Sequence, residues 1–178
     1  MKKSISLYIT LVLMLSSIIC LNAQNDRGYI VSIGEKAPDF FIEGENVIQE
    51  NKGKVIMLQF TASWCSVCIK KMPYIEEEIW QKHSDDDNFI LIGLAKDTPK
   101  RPQTNKEIEF MTNKTGVTYP IIRDINSTAF NLFAEKKAGV TRNIIIDQNG
   151  RIQFLTRLFD KEEFNQMKSK IEDLLNNK

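Results

Sequence analysis

The stretch FTASWCSVCIKKMP, Phe60 to Pro73, holds two of the chain's three cysteines, Cys65 and Cys68. A disulfide across so short a loop removes little entropy from the unfolded chain, so the pair does not read as a structural staple. It reads as a redox pair. Cys65, Cys68, Ile69, Met72, Ile75 and Ile79 recur with helical period, which predicts a helix starting at the first cysteine and kinked by Pro73. The start of a helix offers unpaired N–H groups and the positive end of the dipole, both of which stabilise an anion. Cys65 is therefore the expected nucleophile, with a lowered thiol pKa. Cys68, one turn further on the same face, is placed to resolve the mixed disulfide that Cys65 forms. Two plainer readings stand beside this one: a pair of inert buried cysteines, or half of a metal site. The second lacks two of four ligands, and with His83 the lone histidine no multi-histidine centre is available either.

The surrounding chain sets the context. Its 178 residues suit one domain with a sizeable core, and a net charge of +1 gives no broad field to recruit nucleic acid. The first residues read differently from the rest. MKK is basic, ISLYITLVLMLSSIIC is apolar and LNAQ follows, the layout of a secretory signal cut after Ala23. The expected organisation is a signal peptide over 1–23 and one domain over 24–178, exported and periplasmic. Two alternatives are lipidation of Cys20, with a membrane tether, and retention of the apolar run as an anchor. Export would place Cys65 and Cys68 where disulfides persist.

Outward from the cysteines, Ser32–Lys54 reads as a leading segment with a short hairpin. KVIMLQF (54–60) and FILIGLAKD (89–97) read as strands covered on both faces. TPKRPQTN is a basic, solvated loop, KEIEFMTNKTG a helix closed by Gly116, YPIIRD a short extended piece and NSTAFNLFAEKKAG a further helix. VTRNIIIDQNGRIQFLTRL is two strands about a DQNG turn. The last helix starts at Asp160, with Glu163 three residues on, and buries Phe164, Met167, Ile171 and Leu174. Strands alternating with helices and ending in a hairpin predict an α/β fold: a central mixed sheet flanked by helices.

These segments together resemble the TlpA/ResA-type thiol–disulfide oxidoreductases of the thioredoxin superfamily. The resemblance rests on the tryptophan before the first cysteine, the MP ending at Pro73, GEKAPDF near the start and NIIIDQNGRI near the end. It implies a thioredoxin-like fold and an exported or membrane-tethered location; no cofactor and no metal are expected. It also implies dithiol exchange with disulfide-containing or dithiol protein substrates, fed by a separate electron donor or acceptor, with a reductant role favoured. Around Cys65 and Cys68 it marks Trp64, Ser66, Val67, Lys71, Pro73 and Thr141 as active-site neighbours.

Four features depart from the pattern. Ser66–Val67 replaces an inner dipeptide that often carries proline. Lys71 replaces a frequent acid, and Gln59 the buried acid of thioredoxins. Thr141 stands where the family places a cis-proline, and with no ring to offset the cost of a cis bond, a trans Val140–Thr141 bond is expected. Trp64 reads as a packing and docking residue, Lys71 as either solvated or acting on the cysteines, His83 as a surface residue, and Phe130 and Phe133 as core. The competing functions are a peroxiredoxin-like peroxidase and a non-catalytic binding module on the same scaffold. The peroxidase reading wants a hydroxyl residue where Ala62 stands.

Overall fold

The computed structural model describes residues 27–177. The signal-peptide and Cys20 readings fall outside them. No helix among the described residues is long and apolar enough to cross a membrane.

The apolar run after Lys54 forms β3 (Val55–Thr61), every residue of which is buried. Ahead of it, β1 (Phe41–Ile42) and β2 (Glu45–Asn46) form the short hairpin, followed by α1 (Val47–Glu50). The remaining strands are β4 (Phe89–Lys96), β5 (Ile121–Asp124), β6 (Arg142–Ile146) and β7 (Ile152–Arg157). They form a five-stranded sheet in the order β5-β4-β3-β6-β7. β3 lies parallel to β4, and β4 to β5, whereas β6 runs antiparallel to both β3 and β7. This is the mixed sheet the sequence predicts.

Alternation along β3 divides the core. Ile56, Leu58 and Phe60 face one cluster with Phe130, Phe133 and Ile144. Val55 and Met57 face the other, with Met72, Met111 and Met167. The second cluster is covered by α2 (Ser66–Ile75), α3 (Asn105–Thr115) and α5 (Lys161–Asn176). Their ends are set locally. Thr104 and Glu107 form a reciprocal capping box at α3, and Gly116 closes that helix in the left-handed conformation. Asp160 caps α5 by accepting from the Glu163 N–H. Leu175 is the buried leucine at the end of that helix, with Leu174 partly buried beside it.

Three expectations are corrected. The helix read over NSTAFNLFAEKKAG shrinks to a 3₁₀ turn (Ile125–Ser127) and one turn of helix, α4 (Phe130–Phe133). Asn126 and Ser127 both take positive φ, which breaks the run. The Asp124 carboxylate accepts from the N–H groups of Ala129 and Phe130 and so fixes the new start. His83 is not a surface residue but half-buried, its ring 5.4 Å from that of Phe89. The basic loop after β4 is not simply solvated, because Gln103 within it is fully buried. Pro73 sits inside α2, and the helical run widens into a π-helical segment, Glu76–Trp80, before its last turn, Gln81–His83.

One buried charge has a measurable consequence. Lys96, at the end of β4, is 4% exposed. Its Nζ donates to the carbonyls of Lys136 and Ala138 and stands over the Phe130 ring. Burial, reinforced by the Arg142 charge and opposed by Asp124, pushes its pKa down to about 8. The unfolded chain therefore binds more protons than the folded one between about 8 and the ordinary value near 10.5, so stability rises with pH across that window. Denaturation of the wild type and Lys96→Met at pH 8 and about 9.5 should show the wild type gaining on the variant by on the order of 1 kcal/mol. Parallel pH profiles would contradict this.

Candidate active site

The parallel pairing of β3 with β4 leaves the chain at the C-terminal end of β3, where the cysteine loop begins. β6 runs the opposite way, and its first residue, Arg142, pairs with Phe60. The residue before it, Thr141, is thereby delivered to the loop that carries the cysteines.

Cys65 is the N-cap of α2, and its sulfur accepts the Cys68 N–H at 3.2 Å. The two cysteines form a disulfide with Cα atoms 5.3 Å apart. Their environments differ: Cys65 is partly exposed, Cys68 only 1%. One cysteine is partly open to solvent and the other is shielded, the asymmetry that stepwise exchange needs. Thr141 Oγ1 lies 3.3 Å from the Cys65 sulfur and 3.2 Å from that of Cys68. The described residues contain no cis peptide bond, so Val140–Thr141 is trans, as expected.

The structure gathers the other sequence-marked residues here to different degrees. Ser66 is exposed, and so are Trp64 and Val67, at the rim of the pair. Pro73 is further along α2, beside the buried Met72. Lys71 does not extend into solvent. Its Nζ lies 3.2 Å from the centre of the Phe159 ring and 5.2 Å from that of Tyr74. Burial first, then repulsion from Lys70, lowers its pKa. Lys71 also lines a cavity of about 20 Å³ behind the disulfide, together with Cys68, Gln59 and Thr141. Gln59, buried at the position of the missing acid, has an amide that cannot act as a titrating base.

Sequence reasoning missed the support behind Trp64. Gln103 Oε1 accepts the Ser63 N–H at 2.6 Å, while its Nε2 donates to the Lys96 carbonyl. Asp97 accepts the Gln103 N–H and is itself held by Arg123. Arg101 places its guanidinium 4.8 Å from the Trp64 ring. The loop after β4 thus anchors the loop before Cys65. Nothing local marks Gln103, because its partners lie on other segments. Beside Trp64, an open cleft of about 440 Å³ is lined by Ser63, Thr104, Lys106, Glu107 and Phe110. Phe110 is 70% exposed.

Comparison with known proteins agrees with this geometry. The family model described as Redoxin matches residues 33–175. The thiol-disulfide oxidoreductase ResA of Geobacillus thermodenitrificans is 29% identical over 143 residues, 76% of each chain. A solved structure from Bacteroides thetaiotaomicron, described as a "putative protein disulfide isomerase", is 45% identical, with a TM-score of 0.77 over 84% of this chain and 94% of that one. A thiol:disulfide interchange protein from Chlorobium tepidum shares the fold, with a TM-score of 0.59 at 18% identity over 82% of this chain and 99% of the other.

Proposed function

The chain belongs to the redoxin family and is a dithiol oxidoreductase of the ResA/TlpA type in the thioredoxin superfamily, and from this we infer that it reduces disulfides of protein substrates outside the cytoplasm. The observation that carries the reading is the pairing of a partly exposed helix-capping cysteine with a shielded one. In the reduced chain the Cys65 thiolate attacks a substrate sulfur. The substrate S–S bond breaks, one substrate thiolate leaves, and a Cys65–substrate disulfide forms. Cys68 then loses its proton and attacks the Cys65 sulfur. The mixed disulfide breaks, the second substrate thiolate leaves, and both thiolates take up protons. The chain ends oxidised by two electrons and the substrate reduced by two. A separate dithiol donor must restore the pair.

The extracytoplasmic assignment rests on the sequence of residues 1–23, read as a signal peptide removed after Ala23, which leaves 24–178 as the exported domain. Intact-mass analysis of the natively exported protein should give Gln24 as the first residue, and a diacylglyceryl adduct on Cys20 would replace this with a lipoprotein. The exposed rim of Trp64, Val67 and Phe110 is the docking surface for the substrate.

Redox titration tests the direction of transfer. A midpoint near thioredoxin's, about −270 mV, supports a reductant, and one near DsbA's, about −120 mV, overturns that role. Lys71 adjusts the value. An ammonium favours the thiolate, which only the reduced pair can hold, and so raises the potential. Lys71→Glu should lower it by about 10–30 mV and raise the Cys68 thiol pKa more than that of Cys65. An unchanged potential at low salt would leave Lys71 as a packing residue on Phe159.

A further inference from the structure

We propose that the Thr141 hydroxyl is a catalytic hydrogen-bond donor that serves the two sulfurs in turn, first the Cys65 thiolate and then the Cys68 thiolate. The proposal deepens the exchange reading above and rests on it. Its basis is one atom. Thr141 Oγ1 lies within hydrogen-bonding distance of both sulfurs, at 3.3 and 3.2 Å. A hydroxyl carries one donor and two acceptor sites and rotates freely between them.

The position of that hydroxyl is not left to chance. The Leu158 N–H donates to the Thr141 carbonyl at 3.0 Å. The next residue, Arg142, is buried, with its Nε on the Gly139 carbonyl and its Nη2 on that of Arg27. The backbone on either side of Thr141 is therefore tied down, and the side chain meets the sulfurs without a search.

The two sulfurs need different help. In the disulfide the Cys65 sulfur already accepts the Cys68 N–H at 3.2 Å, a donor that a thiolate at the same place would keep. Cys68 is almost fully buried, where an unpaired thiolate is costly to form. Gln59 cannot take its proton as a carboxylate would. A thiolate on Cys68 has the Thr141 hydroxyl as its side-chain donor. In the reduced pair the hydroxyl donates to the Cys65 thiolate and accepts from the Cys68 S–H. Once Cys65 is bonded to the substrate sulfur it needs no donor. The hydroxyl then turns to Cys68, whose proton leaves to solvent or to the departing substrate thiolate, and stabilises the anion that attacks Cys65. No bond to Thr141 forms or breaks.

Thr141→Val removes the hydroxyl at nearly constant shape, and Thr141→Ser keeps it. The test follows thiolate absorbance against pH in the reduced full-length protein, and separately the lifetime of a mixed disulfide with a model protein disulfide. Hydrogen bonds to charged groups predict a Cys65 pKa about one unit higher in Thr141→Val, and a mixed disulfide that resolves about tenfold more slowly. Thr141→Ser should restore both. Val and wild type with the same pKa and the same lifetime would overturn the proposal, as would Ser behaving like Val. If the wild type forms no mixed disulfide at all, the exchange reading fails, and the pKa comparison still decides whether the hydroxyl supports a thiolate.

Discussion

Cys65→Ser abolishes exchange with protein disulfides, and Cys68→Ser keeps the first half-reaction and stops there. These opposite outcomes follow from the placement of two otherwise similar residues. Cys65 caps α2, partly exposed, with the Cys68 N–H on its sulfur. Cys68 lies one turn inside, shielded from an incoming protein. A serine at 65 leaves no thiolate within reach of the substrate. A serine at 68 leaves the attack on the substrate intact but removes the sulfur that resolves the product, so mixed disulfides accumulate. Non-reducing electrophoresis of each variant with a defined protein disulfide reads this directly. Trapping by Cys65→Ser instead would reverse the two roles.

Phe60→Ala should cost about 3–5 kcal/mol of stability, a large share of the ~5–15 kcal/mol that holds a typical domain together. Phe60 is 1% exposed. Its ring meets Phe130 edge-on at 5.3 Å and Phe133 at 5.9 Å. Phe133 continues the cluster to Phe40 at 5.9 Å. Deleting the ring opens a cavity between β3 and the residues of α4 and the leading segment that pack in the same cluster. Urea unfolding with an unchanged slope and a lowered midpoint is the expected result. A loss below about 1 kcal/mol would mean that the site collapses readily and that this face of β3 contributes little.

The sequence is most legible where the physics is local or periodic. β3 and β4 show as predominantly apolar runs because both faces of each are covered. The caps at Asp160 and Gly116 act within a turn of their own residues, and the cysteine helix starts where its pattern starts. What stays hidden depends on partners far along the chain. Gln103 looks like any polar loop residue until Ser63 and Lys96 are brought to it. Glu76 looks like one of three surface acids in a row, yet it is buried and accepts from the N–H and hydroxyl of Thr118. The helix read through Asn126 and Ser127 fails because Asp124 captures the N–H groups of Ala129 and Phe130, which favours left-handed residues over a continued turn. Thr141 is an intermediate case. Its place opposite the cysteines follows from the strand order, but its contact with both sulfurs requires the antiparallel register of β3 and β6.

The most direct measurement is stoichiometric transfer. The reduced chain is mixed with a protein substrate of known disulfide content, the reaction is quenched by acid and alkylation, and both partners are weighed by mass spectrometry. One substrate disulfide should be reduced for each chain oxidised, with Cys65 and Cys68 both protected from alkylation in the product. A pair that stays reduced while the substrate keeps its disulfides would contradict it, and so would oxidation of the pair without matching thiols on the substrate.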